Sequence, residues 1–227
     1  MMSVDKCMWS DTDNQILFKT CVGSHMWKME RPDSDLDYFV AQIAPTRKIL
    51  DGTANTLSEH IQSDFNIDMS AHEIGKIIDM LLKGNVNFIW GVLSPVVPYE
   101  YKNYHKNLRD IVLAGLSKNI SKSIYGMARH NYERYIRDNM GEKDVSGELL
   151  IKKANTIVRT LNFGVEILQE RPISFSGFKN QTMKEVLDWM KILLDAETYS
   201  SLPNKPPNEE KFRQYLYESR MENLAWC

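Results

Sequence analysis

The spacing of apolar and polar positions divides the chain into two textures. In the first hundred residues the apolar runs are short. Residues 14–24 (NQILFKTCVGS) alternate weakly after a polar start and predict a strand, or a short helix leading into one. His25 to Pro32 is polar and ends in proline, as a loop or hairpin connection does. Leu36 to Ala44 has the length and composition of a strand. Residues 46–53 (TRKILDGT) predict another short strand closed by an Asp-Gly turn. Phe65, Ile67 and Met69 then fall on one side of an alternating stretch, with Asn66 and Asp68 on the other. Ser70 is placed to cap a helix with His72 and Glu73 in its first turn. Ile74, Ile77, Ile78, Leu81 and Leu82 supply that helix with an apolar stripe, and Gly84-Asn85 stop it.

From about residue 101 the period lengthens to that of helices. Residues 106–138 carry it with a break around Gly115 to Ser117, residues 140–147 form a polar connection, and 148–171 and 180–202 are further amphipathic stretches. A proline-rich break at 203–210 precedes a last short helix. These patterns predict an α+β protein. A small mixed sheet with flanking helices occupies residues 1–100, and a helical region, 101–227, closes a cleft against it.

Composition narrows the function classes little. The chain has 227 residues, 43% hydrophobic and 26% charged, the make-up of an ordinary globular protein. A formal net charge of −2 demands neither nucleic acid nor an anionic membrane as partner. No apolar run approaches the roughly eighteen residues needed to span a bilayer, so no membrane partner is expected. The first fifteen residues lack the pattern of a signal peptide. Cys7, Cys21 and Cys227 are scattered, have no metal-finger spacing, and read as free thiols of a cytoplasmic protein.

The candidate chemistry lies between residues 22 and 40. Residues two apart in a strand share a face, so a strand beginning near Ser34 aims Asp35 and Asp37 side by side. Adjacent carboxylates repel, and a divalent cation is a natural compensation. Asp68, on the alternating stretch, can add a third acid, completing the hardware of a two-metal site for phosphoryl transfer. Gly23 lets a backbone approach triphosphate oxygens closely, and Ser24 adds a hydroxyl donor. Asp-x-Asp is also common in ordinary loops, so spacing alone leaves a turn and a metal site both open.

The stretch GSHMWKMERPDSDLDYFV resembles the Gly-Ser…Asp-x-Asp signature of DNA-polymerase-β-like nucleotidyltransferases. More narrowly, it is similar to the predicted nucleotidyltransferases linked to RNA repair, with Trp27 in the aromatic place after Gly-Ser. Residues 68–95, with Asp68 where a third acid is expected, and the helical segments 115–135 and 150–170 resemble that family in the same order. The resemblance runs from about Gly23 to Pro172. It implies metal-dependent transfer of a nucleoside monophosphate from an NTP to a hydroxyl, with release of pyrophosphate. The acceptor it favours is RNA, with a protein hydroxyl or a small molecule as other acceptors of the superfamily. Asp35, Asp37 and Asp68 would hold two Mg²⁺ ions (or Mn²⁺), and Gly23 and Ser24 would cradle the phosphates. Lys152, Lys153 and Arg159 are candidates to counter triphosphate charge, against the plainer reading of a solvated helix face.

Three positions depart from the family pattern. Lys28 stands where glycine is usual, and either reshapes the loop or offers its ammonium to a phosphate. Val86 replaces the proline of Gly-Asn-Pro, and Thr156 replaces a histidine three residues before Arg159. Lys28 and Thr156 sustain the alternative of a non-catalytic nucleotide sensor or partner-binding protein on the same fold. Elsewhere, His25 reads as exposed more readily than as a nucleotide contact, and Trp27 as packed beneath the loop more readily than stacked on a base. Asn85 reads as a cap on the end of the preceding helix rather than a ligand contact, and Asp33 as a turn residue. The aromatic and basic stretch 99–109 reads as a partly exposed amphipathic segment or an RNA contact.

Overall fold

The computed structural model describes residues 15–63, 66–98, 102–140 and 147–224. Its four strands are β1 (Gln15–Cys21), β2 (Leu36–Ile43), β3 (Ser58–Ser63) and β4 (Ile67–Glu73), in the order β1-β2-β4-β3. β1 runs antiparallel to β2, β4 parallel to β2, and β3 antiparallel to β4, so the sheet is mixed. Around it lie α1 (Gly23–Met26), α2 (Thr46–Leu50), α3 (Ile74–Leu82), α4 (Val86–Leu93) and α5 (Lys102–Ala114). They are followed by α6 (Asn119–Met140), α7 (Gly147–Leu168), α8 (Met183–Tyr199) and α9 (Glu209–Leu224). This is the expected α+β architecture, a small mixed sheet followed by a helical region.

Strand alternation decides which side of the sheet is covered. Phe39, Ala41 and Ile43 of β2 join one core with the apolar stripes of α3 to α9, from Leu17 to Tyr215. That core is continuous across residue 100. Val40, Met69 and Ala71 point to the opposite face, where, among the described residues, Ile16, Tyr38, Ile61 and Ile67 pack on them. Asp37 has the parity of Phe39 and Ala41, and therefore belongs to the helix-covered face. Gly91 of α4 sits against the Phe39 ring, where a Cβ would collide with the ring carbons. Thr20 Oγ1 of β1 donates to the Gly91 carbonyl at 2.6 Å, so α4 lies directly on the sheet.

Four local expectations need correction. Residues 46–50 form α2 rather than a strand. Pro45 opens this helix with its fixed φ, Lys48 and Ile49 donate back to the Pro45 carbonyl, and no residue of α2 is buried. With no sheet face to fill, alternation has nothing to select it. Ser70 does not cap a helix: the ladder of β4 with β2 continues to Glu73 opposite Gln42. Glu73 is itself the N-cap of α3, accepting from the Gly75 amide at 2.5 Å. Burial between Phe39 and Phe88 pushes the His72 imidazole down to about 4, which keeps it neutral near pH 7. Asn85 is a cap, but of the helix that follows, accepting from Asn87 N at 3.1 Å. The edge strand β3 has no apolar alternation to announce it and takes its register from β4.

Later elements match their periodicity. The break between α5 and α6 falls at residues 115–118, and α8 starts on a capping box between Thr182 and Glu185. α9, beyond the proline-rich break, packs on α3 and α5 and anchors to the sheet through Arg220. That guanidinium holds the fully buried Glu73 carboxylate through Nε, at 3.2 Å, and Nη2, at 2.9 Å. No described helix is long and apolar enough to cross a membrane.

Candidate active site

The site begins where β1 ends. Val22 N donates to the Asp37 carbonyl at 2.8 Å, extending the β1–β2 ladder by one residue. Gly23 then turns with φ +63°, and a Cβ there would run into the Asp37 carboxylate, with Cγ only 2.7 Å away. Both the backbone angle and the space demand glycine. One helical turn, Gly23–Met26, follows, and Trp27 N and Met29 N both donate to the Ser24 carbonyl at 3.2 and 3.0 Å. The Gly-Ser element is thus folded tightly against the Asp-x-Asp element.

Asp37 lies directly opposite Asp68 in the parallel register of β2 and β4. Registered residues of neighbouring strands point to one face, about 4.8 Å apart along the hydrogen-bonding direction. Asp35 is exposed and lies one residue outside β2, which starts at Leu36 rather than near Ser34. Its charge nevertheless reaches Asp37. Burial, then Asp68, then Asp35 hold the Asp37 carboxyl above the usual carboxylate range, while His25 and Arg159 act in the opposite direction. Five ionisable groups therefore converge on one strand end, where the helical cover of the sheet stops.

Arg159 reaches this point from α7, which the sequence places more than a hundred residues away. Its guanidinium lies over the Trp27 ring at 5.2 Å, and Nη1 approaches Met29 Sδ at 3.6 Å. Nε is buried without a hydrogen-bond partner among the described residues, and burial draws the group down to about 10 while Asp37 opposes that. A guanidinium kept charged beside carboxylates, with donor capacity unspent, is suited to an oxyanion. Trp27 beneath it is buried in an aromatic cluster with Trp90, Phe163 and Phe175, so it packs under the loop.

The other candidates are distributed unevenly. Lys152 is exposed two turns before Arg159 on α7. Lys153 has its ammonium 5.3 Å from the Tyr135 ring. Neither figures among the charges that act on Asp37. Thr156 Oγ1 donates to the Lys152 carbonyl within α7, leaving no imidazole there. Within the stretch 99–109, residues 99–101 lie outside the described residues. His105 of α5 is buried on the Val92 carbonyl, and Lys106 pairs with Asp110 at 2.6 Å. Two histidines border the site, of which only His60 has no expectation attached to it as a contact there. His25 is half-buried rather than exposed, with Nε2 lacking a partner among the described residues. His60 of β3 sets Nδ1 3.2 Å from Asp68 Oδ1. Only the pairing of β3 with β4 could reveal the second, because β3 carries no sequence signal. Cys21 is buried, and its thiol is pushed up to about 11 by burial and then by Asp37 and Glu30, so it is no nucleophile. Cys7, Cys227 and Phe65 lie outside the described residues.

Lys28 is exposed and adopts φ +55°, the left-handed conformation for which glycine is suited. The lysine itself takes the left-handed conformation and bears the strain. That conformation costs a non-glycine residue about 1–2 kcal/mol, partly offset by the greater unfolded-state freedom of glycine. Lys28→Gly is therefore expected to stabilise the protein by about 0.5–1 kcal/mol, read as a higher urea midpoint at unchanged slope. An unchanged or lower midpoint would show that the lysine side chain makes up the difference.

The donor set fits a hard divalent cation. It offers carboxylate oxygens whose mutual repulsion a cation relieves, beside a glycine whose lack of a side chain makes room for the Asp37 carboxylate. Among the described residues no three His, Cys, Asp or Glu side chains come together in a group that could hold a metal ion, so Asp35, Asp37 and Asp68 are not gathered into the three-acid site the sequence predicts. Such an open carboxylate ledge suits Mg²⁺, which is held by one or two carboxylates together with substrate phosphates and water.

No curated protein matches the chain. The family model of the RNA repair pathway DNA polymerase beta family (RlaP) matches residues 4–218, past the Pro172 limit of the legible resemblance and into α9. With the mixed sheet, the Gly-Ser turn and the paired aspartates in place, the chain belongs to the RNA repair pathway DNA polymerase beta family.

Proposed function

We propose that the protein transfers a nucleoside monophosphate from an NTP to a hydroxyl acceptor, RNA being the favoured one, and releases pyrophosphate. The observation that carries this reading is the contact of Gly23 with the Asp37 carboxylate, which brings a phosphate-cradling turn and an acidic ledge to one point. The acceptor oxygen bonds to the α-phosphorus, the bond from that phosphorus to the bridging oxygen of the β-phosphate breaks, and the hydroxyl proton is lost. Divalent cations on Asp35, Asp37 and Asp68 would ease loss of that proton and neutralise charge on the departing pyrophosphate. Gly23 and Ser24 hold the β and γ phosphates, and the Arg159 guanidinium, whose Nε has no partner among the described residues, would meet the charge of the same oxygens. Lys28 and Lys152 extend this positive side outward, with Lys153 free to join it by leaving Tyr135. The helices after residue 101 form the second wall of the cleft.

The test is pyrophosphate release from each of the four NTPs with Mg²⁺ or Mn²⁺, with and without total RNA. Release that needs metal and rises with RNA is the expected result. Metal-dependent thermal stabilisation by an NTP without pyrophosphate would establish the nucleotide sensor instead. Silence in both would overturn the reading.

A further inference from the structure

A cavity of about 370 Å³ opens between the α4–α5 corner and the C-terminal end of α7 with the segment that follows it. Leu93, Leu113, Ile167, Phe175 and Leu202 give it a largely apolar wall, and Arg109 and Arg171 contribute two guanidiniums. The one carboxylate in the lining, Glu170, accepts a hydrogen bond from Ser201 Oγ. Asp110, next to Arg109 on α5, is taken by Lys106. Among the described residues neither Arg109 nor Arg171 is committed to an ion pair or a side-chain hydrogen bond. None of the residues of the acidic ledge lines this space, so the cavity is separate from the proposed reaction centre.

We propose that this cavity is a second binding site, for a small organic anion with an apolar body: a ring or short acyl chain bearing a phosphate or a carboxylate. The size falls in the range of small-molecule pockets. The two halves of the lining ask for the two halves of the ligand. An uncharged apolar molecule would desolvate the arginines without pairing them, and a bare inorganic anion would leave the leucines and Phe175 wet. Two guanidiniums against one occupied carboxylate leave an excess of positive charge, and their forked donors match a planar or tetrahedral oxyanion. Phe175 also packs on Trp27, 5.4 Å between ring centroids, so an occupant would rest on the ring that supports the nucleotide loop.

The probe is 1-anilinonaphthalene-8-sulfonate, which has an aromatic body and one anionic group, titrated by fluorescence into the full chain. The expected result is saturable binding of one probe per chain, displaced by octyl phosphate or octanoate but not by inorganic phosphate at the same concentration. The stronger of the two competitors identifies the anion. Arg109→Ala and Arg171→Ala should each weaken the probe at least tenfold with the melting temperature unchanged. Absence of saturable binding, titrations unmoved by both variants, or displacement by Mg-ATP as readily as by octyl phosphate would each overturn the proposal.

Discussion

Asp37→Asn is expected to abolish nucleotidyl transfer, by about a thousandfold or more, and yet to raise the melting temperature in metal-free buffer at neutral pH. The loss follows from removing the carboxylate that sits against Gly23 and opposite Asp68, because metal-assisted charge stabilisation contributes several kcal/mol at about 1.4 kcal/mol per factor of ten. The gain follows from the direction of its titration. Burial, Asp68 and Asp35 raise the Asp37 pKa above its unfolded value, so the native state binds the proton more readily than the unfolded chain. Stability then falls as pH rises from the unfolded value towards the raised native one, and the full penalty is present above it. Asparagine is nearly isosteric and has no charge to repel. Melting curves of both proteins between pH 4 and 8, beside a pyrophosphate assay, test this. The wild type alone should lose stability across the window, and only the wild type should gain it back from Mn²⁺ with an NTP. A variant that still releases pyrophosphate, or melts lower than wild type at pH 7, would remove Asp37 from its assigned role.

The second large effect is on the fold. Arg220→Met leaves the Glu73 carboxylate, with no solvent exposure, holding only the Gly75 amide. Breaking a buried pair by removing one partner costs about 3–5 kcal/mol, because the remaining charge stays desolvated. At about 2–4 °C per kcal/mol for a chain of this size, the melting temperature should fall by about 10 °C. Lys106→Met is the control. Its pair with Asp110 is 72% and 52% exposed, and solvent screening leaves such surface pairs with little effect on stability. Combining Arg220→Met with Glu73→Gln should recover part of the loss, since no buried charge is then stranded. A shift no larger than that of the control would mean that α9 is held by its other contacts, the apolar packing and the Arg213–Asp79 pair among them.

The two experiments concern opposite ends of β4, and the contrast shows how this small sheet is used. At its N-terminal end Asp68 is set beside Asp37, a costly arrangement that a bound cation would relieve. At its C-terminal end Glu73 is set against an arginine from the last helix, a pairing completed within the fold.

The sequence by itself determined the α+β class, strand β2, the apolar stripes of the helices and the break near Gly115, because each is a short-range periodicity readable without a partner; at β1 it left strand and short helix both open. It also placed Gly-Ser and Asp-x-Asp within one motif. It misread residues 46–50 and Ser70 and missed β3, because a short segment takes helix or strand form according to the neighbour it meets. Only the tertiary structure decided that Asp68 stands opposite Asp37, that Arg159 lies over Trp27, and that His60 and His25 border the acidic ledge. Strand register, and the packing of helices distant in the chain, join residues that local pattern cannot connect.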